Sequence, residues 1–210
     1  MRVIRLMRFP VKSMRGEAVD AVHVGPDGLD GDRRWSLVDA ASGAALTGRG
    51  DPRLLFASAA ASPDGSVRVV LPDGSVATDD AALSAWVGRP VRLLRSADGA
   101  PAHDTAGFRV SLVGLPELGG WDERRFRTNV LVDDGLGVHG TVRIGDAVLK
   151  VAAPIERCVM VTRPQAGGVE RDLGVLRVIH RERGGTLAVG AAVLRPGLVR
   201  VGDEVLALPG

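Results

Sequence analysis

A chain of 210 residues that is 45% hydrophobic and 25% charged is long enough to bury one large core or two modest ones. It holds no apolar run near the roughly 18–20 residues of a membrane span. The net charge of +2 rests almost wholly on arginines, Lys12 and Lys150 being the only lysines, and without a polybasic block neither a nucleic-acid groove nor a membrane patch is expected.

In chain order the pattern is β. Residues 2–9 alternate Val3, Ile4, Leu6 and Phe9 with Arg2, Arg5 and Arg8, which reads as a strand. Neither a continuous apolar stretch nor a small-residue cleavage site marks a signal peptide, so a cytoplasmic protein is expected. Further strands are predicted at 18–24, 35–38, 54–59 and 67–71. They are separated by the hairpin pairs Asp27-Gly28, Asp30-Gly31, Asp64-Gly65 and Asp73-Gly74. A helix is predicted over Asp80–Val87, capped by Asp79 or Asp80, with Leu83, Trp86 and Val87 on one face. The small, polar stretch 96–102 divides the chain into units of 1–95 and 96–210.

The second half continues with strands predicted at 108–113, 126–132, 142–144, 148–152 and 158–162, and a short helix at 172–179. Residues 142–151 (VRIGDAVLKV) and 199–208 (VRVGDEVLAL) nearly repeat, each reading as a hairpin that turns at Gly-Asp. Similar hairpins fit a barrel, whose closure removes exposed strand edges.

The lone Cys158 excludes an intramolecular disulfide, a Cys-Cys zinc site and a cysteine-ligated iron–sulfur cluster held by this chain alone. It is either an inert buried thiol or one reactive thiolate. The four histidines, His23, His103, His139 and His180, have no metal-ligand spacing. Gly48-Arg49-Gly50 lacks the third glycine of a dinucleotide loop, and no nucleophile elbow is present.

Five segments carry a resemblance. They are Phe9-Pro10-Val11-Lys12-Ser13 with Gly16; Asp32-Arg33-Arg34-Trp35 with Leu37-Val38-Asp39; Thr47-x-Arg49 with Pro52-Arg53-Leu54; Arg125-Phe126-Arg127-Thr128-Asn129; and Glu156-Arg157-Cys158 with Thr162. In this order they resemble the signatures of MOSC-domain proteins. The resemblance implies a mainly β (α+β) chain: an N-terminal β-barrel-like subdomain plus a MOSC β-barrel, with a few short helices. Thr128 replaces the usual proline, and Met14 stands where many relatives have cysteine.

The resemblance also implies the molybdenum cofactor, a pterin dithiolene carrying a phosphate and a metal–oxo centre. Cys158 would be the metal-ligating and catalytic thiolate, which suits a soft site. Lys12, Ser13 and Arg33 would contact the phosphate or pterin, and Asp104 would accept from pterin amino groups. Arg127 and Asn129 flank Thr128, so on a strand both would face the site rim. Positive charge favours a thiolate. Arg157 is adjacent to Cys158, but neighbours on a strand point to opposite faces, so Arg127 or Arg33 is expected to be better placed. A plain alternative stands beside each role: a turn after Pro10, a solvated arginine beside Trp35, an exposed strand face.

Three functions follow. One is a reductase of N-hydroxylated or N-oxide compounds, with a small-molecule substrate and electrons from a separate ferredoxin or cytochrome-type protein. Another is a sulfur carrier with a Cys158 persulfide. The third is a non-catalytic cofactor carrier.

Overall fold

The computed structural model describes residues 1–96, 107–137 and 140–209. Strand β1 (Val3–Arg8) buries Val3 and Leu6 and leaves Ile4 and Arg5 in water. The run expected at 18–24 breaks at Asp20. It becomes β2 (Glu17–Val19), paired with β1, and β3 (Ala21–Gly25), in a hairpin with β4 (Gly28–Leu29). The break is where the chain changes sheets: the Asp20 carbonyl accepts from Val201 N instead of continuing the β1 ladder.

Next come β5 (Trp35–Asp39), β6 (Ser58–Ala61), β7 (Val67–Val70) and β8 (Val76–Ala77), then helix α1 (Asp80–Val87) and β9 (Val91–Arg95). Helix α1 matches its expectation. Asp79 caps it through Ala82 N (2.8 Å), and Leu83 and Val87 are buried. The strand expected at 54–59 begins only at Ser58. Asp51 accepts from Arg53 N and Pro52 follows, a helix-start signal that makes Pro52–Phe56 a 3₁₀ turn.

The second half contributes β10 (Val110–Gly114), β11 (Val130–Val132), β12 (Thr141–Ile144), β13 (Ala147–Glu156), helix α2 (Leu173–Arg183), β14 (Thr186–Arg195), β15 (Gly197–Arg200) and β16 (Val205–Leu208). Three expectations change here. Only Val130–Val132 of 126–132 is strand, because Arg127 takes a left-handed backbone (φ 51°). Residues 158–162 form a 3₁₀ turn, with Cys158 as its N-cap. Residues 199–208 are not a hairpin: β15 pairs with β3 and β16 pairs with β12. The Gly-Asp turn at Gly202-Asp203 sends the chain on, and the Asp203 carboxylate fills the space beside Gly145, where a Cβ would meet it at 2.3 Å. Strand β13 also runs past Pro154, which is tolerated because the ladder bulges there.

The chain is mainly β, and its main sheet runs β16-β12-β13-β14-β10-β11-β1-β2. The β16 end meets β1: Arg2 bridges Glu204, Val3 N donates to Asp203 O (2.9 Å) and Gly202 N donates to Val3 O (2.7 Å). β1 thus returns to β16 and closes a barrel around Val3, Leu6, Leu112, Ile144, Leu149 and Val205. A second core, with Val11, Met14, Leu37, Leu54, Leu83 and Val91, belongs to the segment from 11 to 91, and a third lies under α2. In space β1 to β4 share the barrel core through Leu6, Val22 and Leu29. Residues 97–102, the site candidate Asp104, His103 and His139 lie outside the described residues.

Candidate functional site

A cleft of about 340 Å³ opens where the two halves meet. Lys12, Ser13, Arg33 and Arg49 line it from the first half. Ser111, Arg125, Phe126, Arg127, Asn129, Glu156, Arg157, Cys158 and Met160 are among those lining it from the second. Among the described residues six of the lining side chains are cationic and only Glu156 is a carboxylate, which marks the cleft for an anion. Every expected site residue within the described chain, Lys12, Ser13, Arg33, Arg127, Asn129 and Cys158, opens onto it.

Local backbone geometry brings them there. Among the described residues four non-glycines have positive φ, and three of them line the cleft: Ser13 (67°), Arg33 (52°) and Arg127 (51°). Each such conformation costs about 1–3 kcal/mol and clusters at functional sites. The fourth, Ala188, follows Leu187, whose carbonyl holds Arg157 Nε at 2.6 Å.

Cys158 sits on a firmly held turn. Its carbonyl accepts from Val161 N (3.1 Å), Thr162 Oγ1 donates to Val159 O (2.8 Å), and Thr162 O accepts from Asp172 N (3.0 Å) at the start of α2. Val161 packs in the α2 core. The thiol is exposed and makes no capping hydrogen bond. Met160, two residues on, lies against Gly48, and Gly48 N donates to Ser13 Oγ (2.9 Å).

Arg157 corrects an expectation. Strand β13 ends at Glu156, so the opposite-face rule does not reach residues 157 and 158, and both line the cleft. Its guanidinium donates to Leu187 O and to Phe126 O (3.0 Å) and lies over the Phe126 ring. Nη2 is buried with no partner among the described residues. Burial holds this guanidinium down to about 10; the Cys158 thiol opposes the shift and nearby Arg33 adds to it.

The Arg125-Phe126-Arg127-Thr128-Asn129 segment divides its labour. Arg125 donates to Val161 O and Glu170 O and so braces the Cys158 turn. Phe126 carries Arg157. Arg127 donates to Met14 O. The Asn129 amide is engaged by protein: its Oδ1 accepts from Ser111 N and Oγ, and its Nδ2 donates to Met7 O. Met14 is wholly buried, which makes it a core residue. Sequence reasoning missed Arg49 and Arg125 as lining residues, although both stand in the quoted motifs. Among the described residues no three His, Cys, Asp or Glu side chains gather to hold a metal ion.

The MOSC N-terminal beta barrel domain model matches residues 1–113, and the MOSC domain model matches residues 109–206. No curated protein matches the chain. Solved structures similar to it include the following three. YuaD from Bacillus subtilis shares 14% identity over 97% of this chain and 93% of that one, with a TM-score of 0.47. A hypothetical protein shares 13% over 98% and 66% (TM-score 0.47), and YiiM from Geobacillus stearothermophilus shares 17% over 56% and 67% (TM-score 0.39).

Proposed function

The chain belongs to the MOSC family, whose domains are associated with molybdenum-cofactor binding, and on that premise we propose that it holds this cofactor in the cationic cleft and reduces N-hydroxylated or N-oxide compounds. One observation carries the reading: a single exposed thiol and six cationic side chains converge on one cleft.

The donor set fits the group. A dithiolene-bound metal takes a soft thiolate, which Cys158 offers, and a phosphate takes guanidinium and ammonium donors, which Arg33, Arg127 and Lys12 offer. The buried Arg157 Nη2 is a donor awaiting an acceptor, and burial of an unpaired cationic donor is costly until an anion arrives. Bound there, molybdenum would take up the oxygen atom while giving two electrons to the substrate. The chain's own residues present the thiol, orient the phosphate and shield one wall with Phe108, Val110 and Val161. Removing an N-bound oxygen as water consumes two protons and two electrons. The protons come from solvent, to which the cleft opens beside the exposed Glu156; the electrons come from a separate ferredoxin or cytochrome-type protein. The reading includes a cytoplasmic setting and a small-molecule substrate, with neither nucleic acid nor membrane as partner. No described helix is long and apolar enough to cross a membrane.

A second reading rests on the exposure of Cys158: an accessible thiol beside a cation can carry a persulfide for sulfur delivery. The deciding experiment measures molybdenum content and fluorescent pterin release after expression in a cofactor-overproducing host. Wild type is expected to hold close to one molybdenum per chain, and Cys158→Ser to lose it while staying folded. Metal-free wild type carrying cyanide-labile sulfur on Cys158 would overturn the reductase reading in favour of sulfur transfer.

A further inference from the structure

The cations of the cleft are held on rings. The Arg33 and Arg127 guanidinium carbons stand 5.1 and 4.4 Å from the centroid of one ring, Phe9, which is 4% exposed. Phe9 does not line the cleft itself. We propose that Phe9 is a positioning residue whose ring fixes Arg33 and Arg127 as one anion-binding unit; the inference rests on the cleft being the anion site described above.

Four features of the structure support it. The two arginines come from opposite halves of the chain, and Phe9 is where they meet. Arg33 Nη2 also donates to Arg127 O (3.1 Å), so the pair is tied together at the ring. Both residues are in the left-handed backbone region, which a non-glycine adopts only when its surroundings impose it. Phe9 is itself clamped: its N–H donates to Asp32 Oδ1 (2.7 Å) and its carbonyl accepts from Arg33 N (2.8 Å), while Asp32 pairs with the Arg33 guanidinium. Gly16 then becomes intelligible, since a Cβ there would come within 2.6 Å of Phe9 Cδ1 and 2.1 Å of Arg8 O. Asp32 offsets part of the repulsion between the two like charges gathered at one ring, and the π-face offsets a further part.

The test uses pyrophosphate as probe, titrated calorimetrically into the full chain. Three forms are compared with wild type: Phe9→Leu, Phe9→Tyr, and the protein with pentafluorophenylalanine at position 9. Fluorination withdraws charge from the ring face with little change in size, so it separates electrostatic positioning from packing even where the leucine variant fails to fold. Phe9→Leu and the fluorinated protein are expected to weaken binding about tenfold, and Phe9→Tyr to stay within about threefold of wild type. Unchanged affinity in the fluorinated protein would overturn the role of the ring and leave the anion site standing. Wild type that does not bind pyrophosphate would overturn the anion site and this inference with it.

Discussion

Gly48 lies so close to Met160 that a Cβ on the glycine would come within 2.5 Å of the methionine Cε and 3.0 Å of its Sδ. The contact joins the loop that donates to Ser13 Oγ with the turn that presents Cys158. Gly48→Ala meets only the end of a flexible side chain, so it is expected to cost about 1 kcal/mol of stability. It also drives Met160 into the cleft and weakens pyrophosphate binding about tenfold. Urea unfolding and calorimetry read the two effects separately; a large stability loss with unchanged binding would refute the arrangement.

Asn129 is 1% exposed, and its amide joins β10, β11 and the end of β1. Asn129→Ala removes the acceptor of the Ser111 N–H and O–H and the side-chain donor to the Met7 carbonyl, while the Ser111 oxygen keeps its bond from Asn129 N. About 3 kcal/mol of stability is expected to go with them. Chemical denaturation checks this, and a loss below about 1 kcal/mol would return Asn129 to the list of ligand contacts.

Thr128 Oγ1 is buried without a partner among the described residues. Thr128→Val keeps the shape and removes the orphan hydroxyl, so it is expected to raise stability by about 1 kcal/mol. A lower urea midpoint in the variant would mean the hydroxyl is satisfied after all.

Burial pushes the Glu123 carboxyl above its usual range, and the Arg5 guanidinium offsets part of this. The folded chain therefore binds this proton more readily than the unfolded chain. Between the ordinary carboxylate range and the raised folded value, stability falls as pH rises. Solvent screening keeps the effect below about 1 kcal/mol. Denaturation of wild type and Glu123→Gln across pH 4–7 is expected to show a shallower slope in the variant, and identical slopes would rule the effect out.

An anion beside the desolvated Arg157 and the Arg33–Arg127 pair is expected to stabilise the fold. Pyrophosphate at about a hundredfold excess over Kd adds about 2.7 kcal/mol, or about 5–10 °C in Tm for a chain of this size. The shift should shrink in Arg33→Gln and with rising ionic strength. Thermal unfolding measures it, and a salt-independent shift would point away from the guanidiniums.

The sequence alone determined the β class, the α1 helix with its Asp79 cap, most strands, and the segments that carry the cleft residues. These are written in short-range signals: period-two burial, Asp-Gly turns, and caps read within four residues. Tertiary structure decided the rest. The left-handed backbone at Ser13 and Arg33 turns both residues to the cleft, and that at Arg127 replaces the strand face expected for Arg127 and Asn129. The 3₁₀ turn after β13 lets Arg157 and Cys158 share a cleft. The second Gly-Asp decapeptide splits between two partners because its strands find β3 and β12 instead of each other. Phe9 and Arg127 meet because β1 pairs with β11. Local pattern specifies which residues face a core, whereas the meeting of side chains more than a hundred positions apart depends on which strands pair, and pairing is settled by the packing of the whole barrel.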